Sequence, residues 1–195
     1  MGLFVAVEGI DGSGKTTVIS LLAKRVPNAY VTREPSEGPI GKLIKGWALK
    51  AGTASPYVDA LLFAADRIEH YFAEIKPALE RGLVVLTERY VESSIAYQGA
   101  AGVDVKFLEL INFQVPKPDL TVILDIAPEV ALARIRARGL AEEKYERLDF
   151  LKRVRELYLR RAEERGYAVI NAERPAEDVA EEVYRLIQRL SPRQL

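Results

Sequence analysis

Eight consecutive residues, Gly9-Ile10-Asp11-Gly12-Ser13-Gly14-Lys15-Thr16, combine three glycines with a lysine and a hydroxyl directly after the apolar run Leu3–Val7. Glycines let the backbone curl until successive N–H groups converge on phosphate oxygens. The Lys15 ammonium can neutralise the outer phosphates of a nucleoside triphosphate, and the Thr16 hydroxyl is a hard oxygen ligand for Mg²⁺. A helix starting at Lys15 would aim the positive end of its dipole at the same anion. At average residue usage, a chance match in a chain of this length arises roughly once in a hundred. A turn required only for geometry needs neither the strand before it nor the Lys-Thr-Thr17 after it. This segment is therefore expected to bind a nucleoside triphosphate.

Further polar residues cluster just past other apolar runs: Thr32-Arg33-Glu34-Pro35, Glu88-Arg89-Tyr90, the string Val91–Gly99, and Asp125. Each could be a solvated loop charge. If the runs are parallel strands, all of them fall at the strand ends where ligands bind. Glu88 could hold Mg²⁺ through water, and Arg89 could fork onto a phosphate, or the two could simply pair with each other. Phe63 and Arg67 lie one helical turn apart, suited to stack on a base and hydrogen-bond its edge; a phenylalanine on an amphipathic helix is otherwise a core residue. His70, on the same helix, reads as a packing or surface residue. Arg134, Arg136 and Arg138, followed by Gly139 and Arg147, could close over transferring phosphates. Charges at i, i+4 such as Glu143 and Arg147 would equally suit a solvated helix.

The elements that must position these groups are legible from periodicity. Continuous β-rich runs at Leu3–Glu8, Ala29–Thr32, Leu83–Thr87, Leu120–Ile126 and Tyr167–Ile170 read as five buried parallel strands. Helical patterns lie between them at Lys15–Val26, Pro56–Glu80 (with Pro77 expected to kink or break it), Pro128–Arg138, Glu142–Arg165 and Pro175–Leu190. The alternation implies an α/β fold, a doubly wound five-stranded parallel sheet with helices on both faces. With 195 residues and no linker or repeat, residues 1–195 read as one domain, with a short lid segment at about 134–147.

Composition narrows the chemistry. Apolar content of 49% and charged content of 29% describe an ordinary globular protein. A formal net charge of zero gives no global electrostatic case for nucleic acid or an anionic membrane. Without cysteine, disulfides and thiolate chemistry are excluded; one histidine leaves no His-rich metal site. There is no secretory signal pattern and no apolar stretch near the ~20 residues of a membrane span, so a cytoplasmic location is expected.

Taken together, these strings resemble the thymidylate kinase family, nucleoside monophosphate kinases of the P-loop class. The resemblance rests on Gly9–Thr17, Thr32–Pro35, Leu62-Phe63-Ala64-Ala65-Asp66-Arg67, Ile75–Leu79, Arg89-Tyr90 with Ser93-Ser94 and Ala96-Tyr97-Gln98-Gly99, and Lys117–Thr121 leading to Asp125. They come in family order along nearly the whole chain. The resemblance implies γ-phosphoryl transfer from Mg-ATP to dTMP, with ATP on Gly9–Thr17 and Mg²⁺ at Thr16 and Glu88. Phe63 would stack on thymine, with Arg67 and Gln98 reading its edge. Asp11 would lie near the deoxyribose, Tyr97 would crowd its 2′ position, and Arg89 would hold the acceptor phosphate. Glu34, Pro35, Lys45 and Ser94 complete the implied acceptor site. Lys15 and the lid arginines Arg134, Arg136 and Arg138 would stabilise the charge in flight. Some family members carry a catalytic arginine in the P-loop where this chain has Gly12, which shifts weight to the lid. A homodimer is implied as well, with Leu61, Leu62, Phe72 and Phe107 available for it. Three departures stand out: Glu88 where aspartate is usual, Ser36-Glu37-Gly38 where two glycines are common, and Lys45 where arginine is frequent. The alternatives are a kinase of UMP, CMP or AMP, and a non-catalytic nucleotide-binding switch; Val115-Pro116-Lys117-Pro118-Asp119 is a poor match to a guanine-reading Asn-Lys-x-Asp.

Overall fold

In the computed structural model, which describes residues 2–137 and 147–190, the chain reverses direction across the sheet at its first strand. The first half alternates β1 (Leu3–Glu8), α1 (Lys15–Ala23), β2 (Ala29–Arg33), α2 (Pro39–Leu43), α3 (Pro56–His70), α4 (Lys76–Glu80) and β3 (Val84–Glu88). The second half continues with α5 (Val91–Ala100), α6 (Val105–Ile111), β4 (Leu120–Asp125), α7 (Pro128–Ala137), α8 (Leu148–Arg165), β5 (Ala168–Asn171) and α9 (Ala176–Leu190). All strand pairs are parallel, in the order β2-β3-β1-β4-β5. After β1 the chain moves outward to β2; after β3 it crosses β1 to reach β4. The C-terminal ends of β1 and β3 therefore diverge, and that crevice is where such sheets bind ligands.

Period-two alternation sorts the β1 side chains between the layers. Leu3, Val5 and Val7 join Val18, Ile19 and Leu22 of α1 and Val179 and Val183 of α9. Phe4 and Ala6 join Ile75, Ala78, Val85 and Tyr90 on the other face. Tyr97 of α5 packs with Leu151, Val154 and Tyr158 of α8 in the main core. Helices thus cover both faces, as expected for strands with continuous apolar runs. No described helix is long and apolar enough to cross a membrane.

Four expectations are corrected. The strands are not all buried: β2 and β5 form the sheet edges and are part-exposed, with Val31 48% and Val169 45% accessible. The helix expected over Lys15–Val26 ends at Ala23. The long helix does not break at Pro77. A π-helical turn, Tyr71–Ile75, precedes it, and Lys76 N–H bonds back to the Tyr71 carbonyl. Helical hydrogen bonding therefore runs past the proline into α4 with no break, the wider turn leaving room for the missing proline donor and its ring. The site string 91–99 is itself a helix, α5, and α2, its π-helical extension Ile44–Ala48 and α6 are additional elements.

Candidate functional site

The segments that follow β1 and β3 carry the residues expected to meet phosphate first, Gly9–Thr16 and Arg89. After β1, Gly12 has φ of +80°, and a Cβ there would lie 2.5 Å from the Ala131 carbonyl oxygen. No side chain, arginine included, fits at that position without moving α7. Gly14 caps α1 in the left-handed region, which glycine enters at little cost. Lys15 is buried and folds back onto its own loop, donating to the Gly9 and Ile10 carbonyls at 2.9 Å each. Burial, helped by the Arg89 charge, pushes its ammonium pKa down to about 8, only partly offset by Asp11, Glu88 and Glu8.

After β3, Arg89 adopts φ of +70°, a strained conformation for a side-chain-bearing residue. Its N–H donates to the Val7 carbonyl at 3.0 Å, tying it to the neighbouring strand. This turn swings the guanidinium across to the P-loop, where Nη2 pairs with the Asp11 carboxylate, while Nη1 donates to Ser93 Oγ at 3.2 Å. Tyr97 closes the group: its hydroxyl donates to Asp11 Oδ2 at 2.8 Å and accepts from the Asp11 N–H at 2.9 Å. Burial pushes the Asp11 carboxyl up, but Arg89, Lys15 and Tyr97 outweigh it and hold it below the usual range. Thr16 Oγ1 donates to Glu88 Oε2 at 2.8 Å, bringing the hydroxyl and carboxylate expected at the metal position together.

A cavity of about 250 Å³ opens beside this cluster, lined by Asp11, Glu34, Pro35, Lys45, Phe63, Glu88, Arg89, Ser93, Ser94, Tyr97 and Gln98, with Arg33 and Leu49. Two of its walls carry buried polar atoms without a protein partner, Ser94 Oγ and Gln98 Oε1. Such atoms cost free energy unless a ligand or water satisfies them. The loop after β2 is fastened by Ser36, whose N–H and hydroxyl donate to the Asp66 carboxylate of α3 at 2.7 and 2.6 Å. Lys45 reaches Glu37 at 2.6 Å. Together with Arg33, it lowers the Glu37 carboxyl pKa.

Arg67 does not line this cavity, although Phe63 does. Its guanidinium is 1% exposed and donates to Glu34 Oε2 at 2.8 Å, Asn112 Oδ1 at 2.6 Å and the Tyr90 carbonyl at 2.9 Å. His70 is buried rather than at the surface, within 3.3 Å of Glu34 Oε1 and 2.6 Å of Thr32 Oγ1. Arg67 and His70 of α3 thus form a polar layer behind Glu34. Residue spacing gave no sign of Asn112, 45 positions from Arg67.

On the opposite side of the P-loop, a cavity of about 180 Å³ is lined by Ser13, Gly14, Thr17, Arg134, Ala172 and Arg174, with Val18, Ala176 and Val179. Arg134 donates to the Ala172 carbonyl at 3.1 Å. Arg136 is exposed, and Arg138 with most of the expected lid lies outside the described residues. Asp125 at the end of β4 takes a bidentate pair from Arg155 of α8, at 2.7 and 2.8 Å. Asp119 exchanges hydrogen bonds with Phe4, its N–H donating to the carbonyl and its carboxylate accepting from the N–H, both at 2.8 Å. That secures the start of β1, the end of the strand away from the P-loop.

Glu8, the last residue of β1, carries no motif that marks it as functional. It is fully buried and accepts from Tyr90 N–H, Ser93 N–H, Ser93 Oγ and Tyr158 OH. Its only sequence signal was a carboxylate in an otherwise apolar strand.

Comparison with known proteins shows the family. The family model described as thymidylate kinase matches residues 7–183. A probable thymidylate kinase of Pyrobaculum aerophilum is 65% identical over 187 residues, 96% of this chain and 97% of the relative. The corresponding protein of Pyrobaculum calidifontis is 62% identical, covering 96% of each chain. A thymidylate kinase of Symbiobacterium thermophilum is 41% identical over 205 residues, 99% of this chain and 96% of the relative.

Proposed function

The chain belongs to the thymidylate kinase family, and from that premise we propose that it transfers the γ-phosphoryl group of ATP to dTMP, giving dTDP and ADP. The observation that carries the acceptor reading is the convergence of Asp11, Arg89, Tyr97, Phe63 and Gln98 on one cavity at the divergence of β1 and β3. A phosphate entering beside Arg89 competes with Asp11 for the guanidinium and gains a bidentate partner. The acceptor oxygen is already anionic near neutral pH, so it forms the new bond to phosphorus while the bond to the ADP oxygen breaks. No strong general base is required; positioning and charge stabilisation carry the step.

In this reading Lys15 leaves its loop carbonyls for the β- and γ-phosphates, and the cavity beside Arg134 takes the donor nucleoside. Arg136 and Arg138 remain with Arg134 as candidate lid cations. Thr16 and Glu88 fit Mg²⁺, since hydroxyl and carboxylate oxygens are the hard ligands it prefers, the rest coming from phosphates and water. Bound there, the ion would neutralise charge on the transferring phosphates. Phe63 offers its ring to the base, and the unpartnered Gln98 Oε1 and Ser94 Oγ offer it hydrogen-bonding atoms. Arg67 acts on the base chiefly by fixing Glu34, with any direct contact limited to N–H groups its three partners leave free.

The same reading takes 1–195 as one kinase domain with a lid at about 134–147, working in the cytoplasm without nucleic acid or membrane partners. It also takes the protein as a homodimer. Support for that comes from exposed apolar side chains on α3 (Leu61), on α6 (Leu110) and just after α6 (Phe113), and from the Tyr57–Phe107 ring pair, 5.3 Å apart, between the two helices. The test is ADP formation from Mg-ATP with dTMP, dUMP, UMP, CMP, AMP and GMP offered separately. Turnover strongest with dTMP is expected; a different preferred acceptor would discard the base reading and keep the kinase.

A further inference from the structure

We propose that Glu8 is a positioning residue for phosphoryl transfer, orienting the Arg89 guanidinium through Ser93; this rests on the role given to Arg89 above. A carboxylate buried at the end of a core strand costs free energy that an apolar residue there would not. Glu8 is 0% exposed, and burial raises its carboxyl pKa, opposed by hydrogen bonds from Ser93 and Tyr158 and by the Arg89 charge. Its two oxygens saturate their four lone-pair sites. Oε1 accepts from Tyr90 N–H at 2.7 Å and Ser93 N–H at 3.2 Å; Oε2 accepts from Ser93 Oγ at 2.6 Å and Tyr158 OH at 2.9 Å.

Three of these donors come from the four residues that follow Arg89. The residue immediately after it is held by Glu8, and its own N–H is held by Val7, so the left-handed turn at φ of +70° is clamped from both sides. The side chain is set by the same carboxylate. Ser93 carries one hydroxyl proton; committed to Glu8, it leaves a lone pair that accepts from Arg89 Nη1 at 3.2 Å. When an acceptor phosphate displaces Asp11 from Nη2, the Nη1–Ser93–Glu8 line is the part of the Arg89 environment that stays in place. Tyr158, reached across 150 residues from α8, fastens the other side of Oε2.

The test is a steady-state series on the full chain: Glu8→Gln, Ser93→Ala, Arg89→Ala and Glu8→Gln in the Arg89→Ala background. Glu8→Gln and Ser93→Ala should each lower kcat about 10- to 100-fold, with KM for the acceptor and the ATP dissociation constant within about threefold of wild type. Glu8→Gln should have almost no further effect on kcat once Arg89 is gone, the signature of action through that residue. Wild-type kcat in either single variant, or an undiminished Glu8→Gln effect without Arg89, overturns the proposal. Should Glu8→Gln fail to fold, as judged by its thermal melt, Ser93→Ala decides alone. A wild-type enzyme that turns over no acceptor would strike the phosphoryl-transfer reading and this one together. Normal wild-type turnover with unperturbed variants would strike only the role of Glu8.

Discussion

The two halves of the cleft proposed for the acceptor, a phosphate side around Asp11 and Arg89 and a base side around Phe63 and Arg67, are built on opposite plans. On the phosphate side, charged groups are partnered by neighbours that a ligand can replace: Lys15 by two loop carbonyls, Arg89 by Asp11, Glu88 by Thr16. On the base side, Arg67 is locked by Glu34, Asn112 and a main-chain carbonyl, with His70 behind, while the unpartnered atoms of residues lining the cavity are the neutral Ser94 Oγ and Gln98 Oε1. One half is arranged to exchange partners, the other to stay still. A charged phosphate can displace charged partners, whereas a neutral base offers too little energy to break a buried ion pair and is better met by rigid, pre-formed walls.

The largest effect should come from breaking the rigid half. Arg67→Ala leaves Glu34 buried without its cation and Asn112 without its donor, and removing one partner of a buried pair costs about 3–5 kcal/mol. The expected result is a large drop in melting temperature, read by calorimetry with and without dTMP. A melt unchanged by the substitution would mean that Arg67 is free to serve the ligand, and the contrast between the halves would fall.

On the phosphate side, Arg89→Ala should leave the melt nearly intact but lower kcat by about 10²–10³, the usual cost of one preorganised donor to developing charge. With Phe63, the proposed stacking partner, untouched, binding of thymidine, which lacks the phosphate, should be little altered. Equal losses of thymidine binding and turnover would refute the division of labour.

How far this division could be read from residue order depends on sequence separation. The P-loop is local: eight adjacent residues carry both its geometry and its charge. Strand positions were equally legible, because parallel buried strands write themselves as short apolar runs. The base side is assembled from Glu34, Arg67, Tyr90 and Asn112, which share no local pattern and meet only when α3, α6 and the turn after β3 pack. Helical spacing correctly put Phe63 and Arg67 on neighbouring turns, yet one faces the cavity and the other is sealed behind it. Glu8 escaped notice for the same reason, since its donors come from residues 82 to 150 positions away.

Tyr97 joins the two halves and gives a smaller, more selective effect. Tyr97→Ala should admit ribonucleotides, lowering the dTMP-to-UMP ratio of kcat/KM by about 10–100-fold, as one reshaped pocket contact does. Tyr97→Phe should keep the steric gate, but it strips Asp11 N–H of its acceptor, costing about 1–3 kcal/mol of stability. An unaltered ratio in the Ala variant would remove Tyr97 from the sugar wall.

The smallest effect is also the sharpest test of exchangeable partners. Lys15, with its pKa lowered to about 8 by burial, prefers its neutral form in the ligand-free fold compared with the unfolded chain, where it titrates near 10.5. Between these values the unfolded chain binds more protons, so the Lys15 contribution makes the free protein more stable as pH rises from about 8 toward 10.5. ATP reverses the preference, because its phosphates favour the ammonium. Binding near pH 8 should therefore take up a fraction of a proton, seen as a binding enthalpy that varies with the ionisation heat of the buffer. Affinity for ATP should weaken severalfold from pH 7.5 to 9. Lys15→Met should abolish the part of the proton uptake centred at that pH. Uptake that persists in Lys15→Met would assign it to another group, and a wild type that takes up none would show that Lys15 is already protonated and free of its carbonyl partners before the nucleotide arrives.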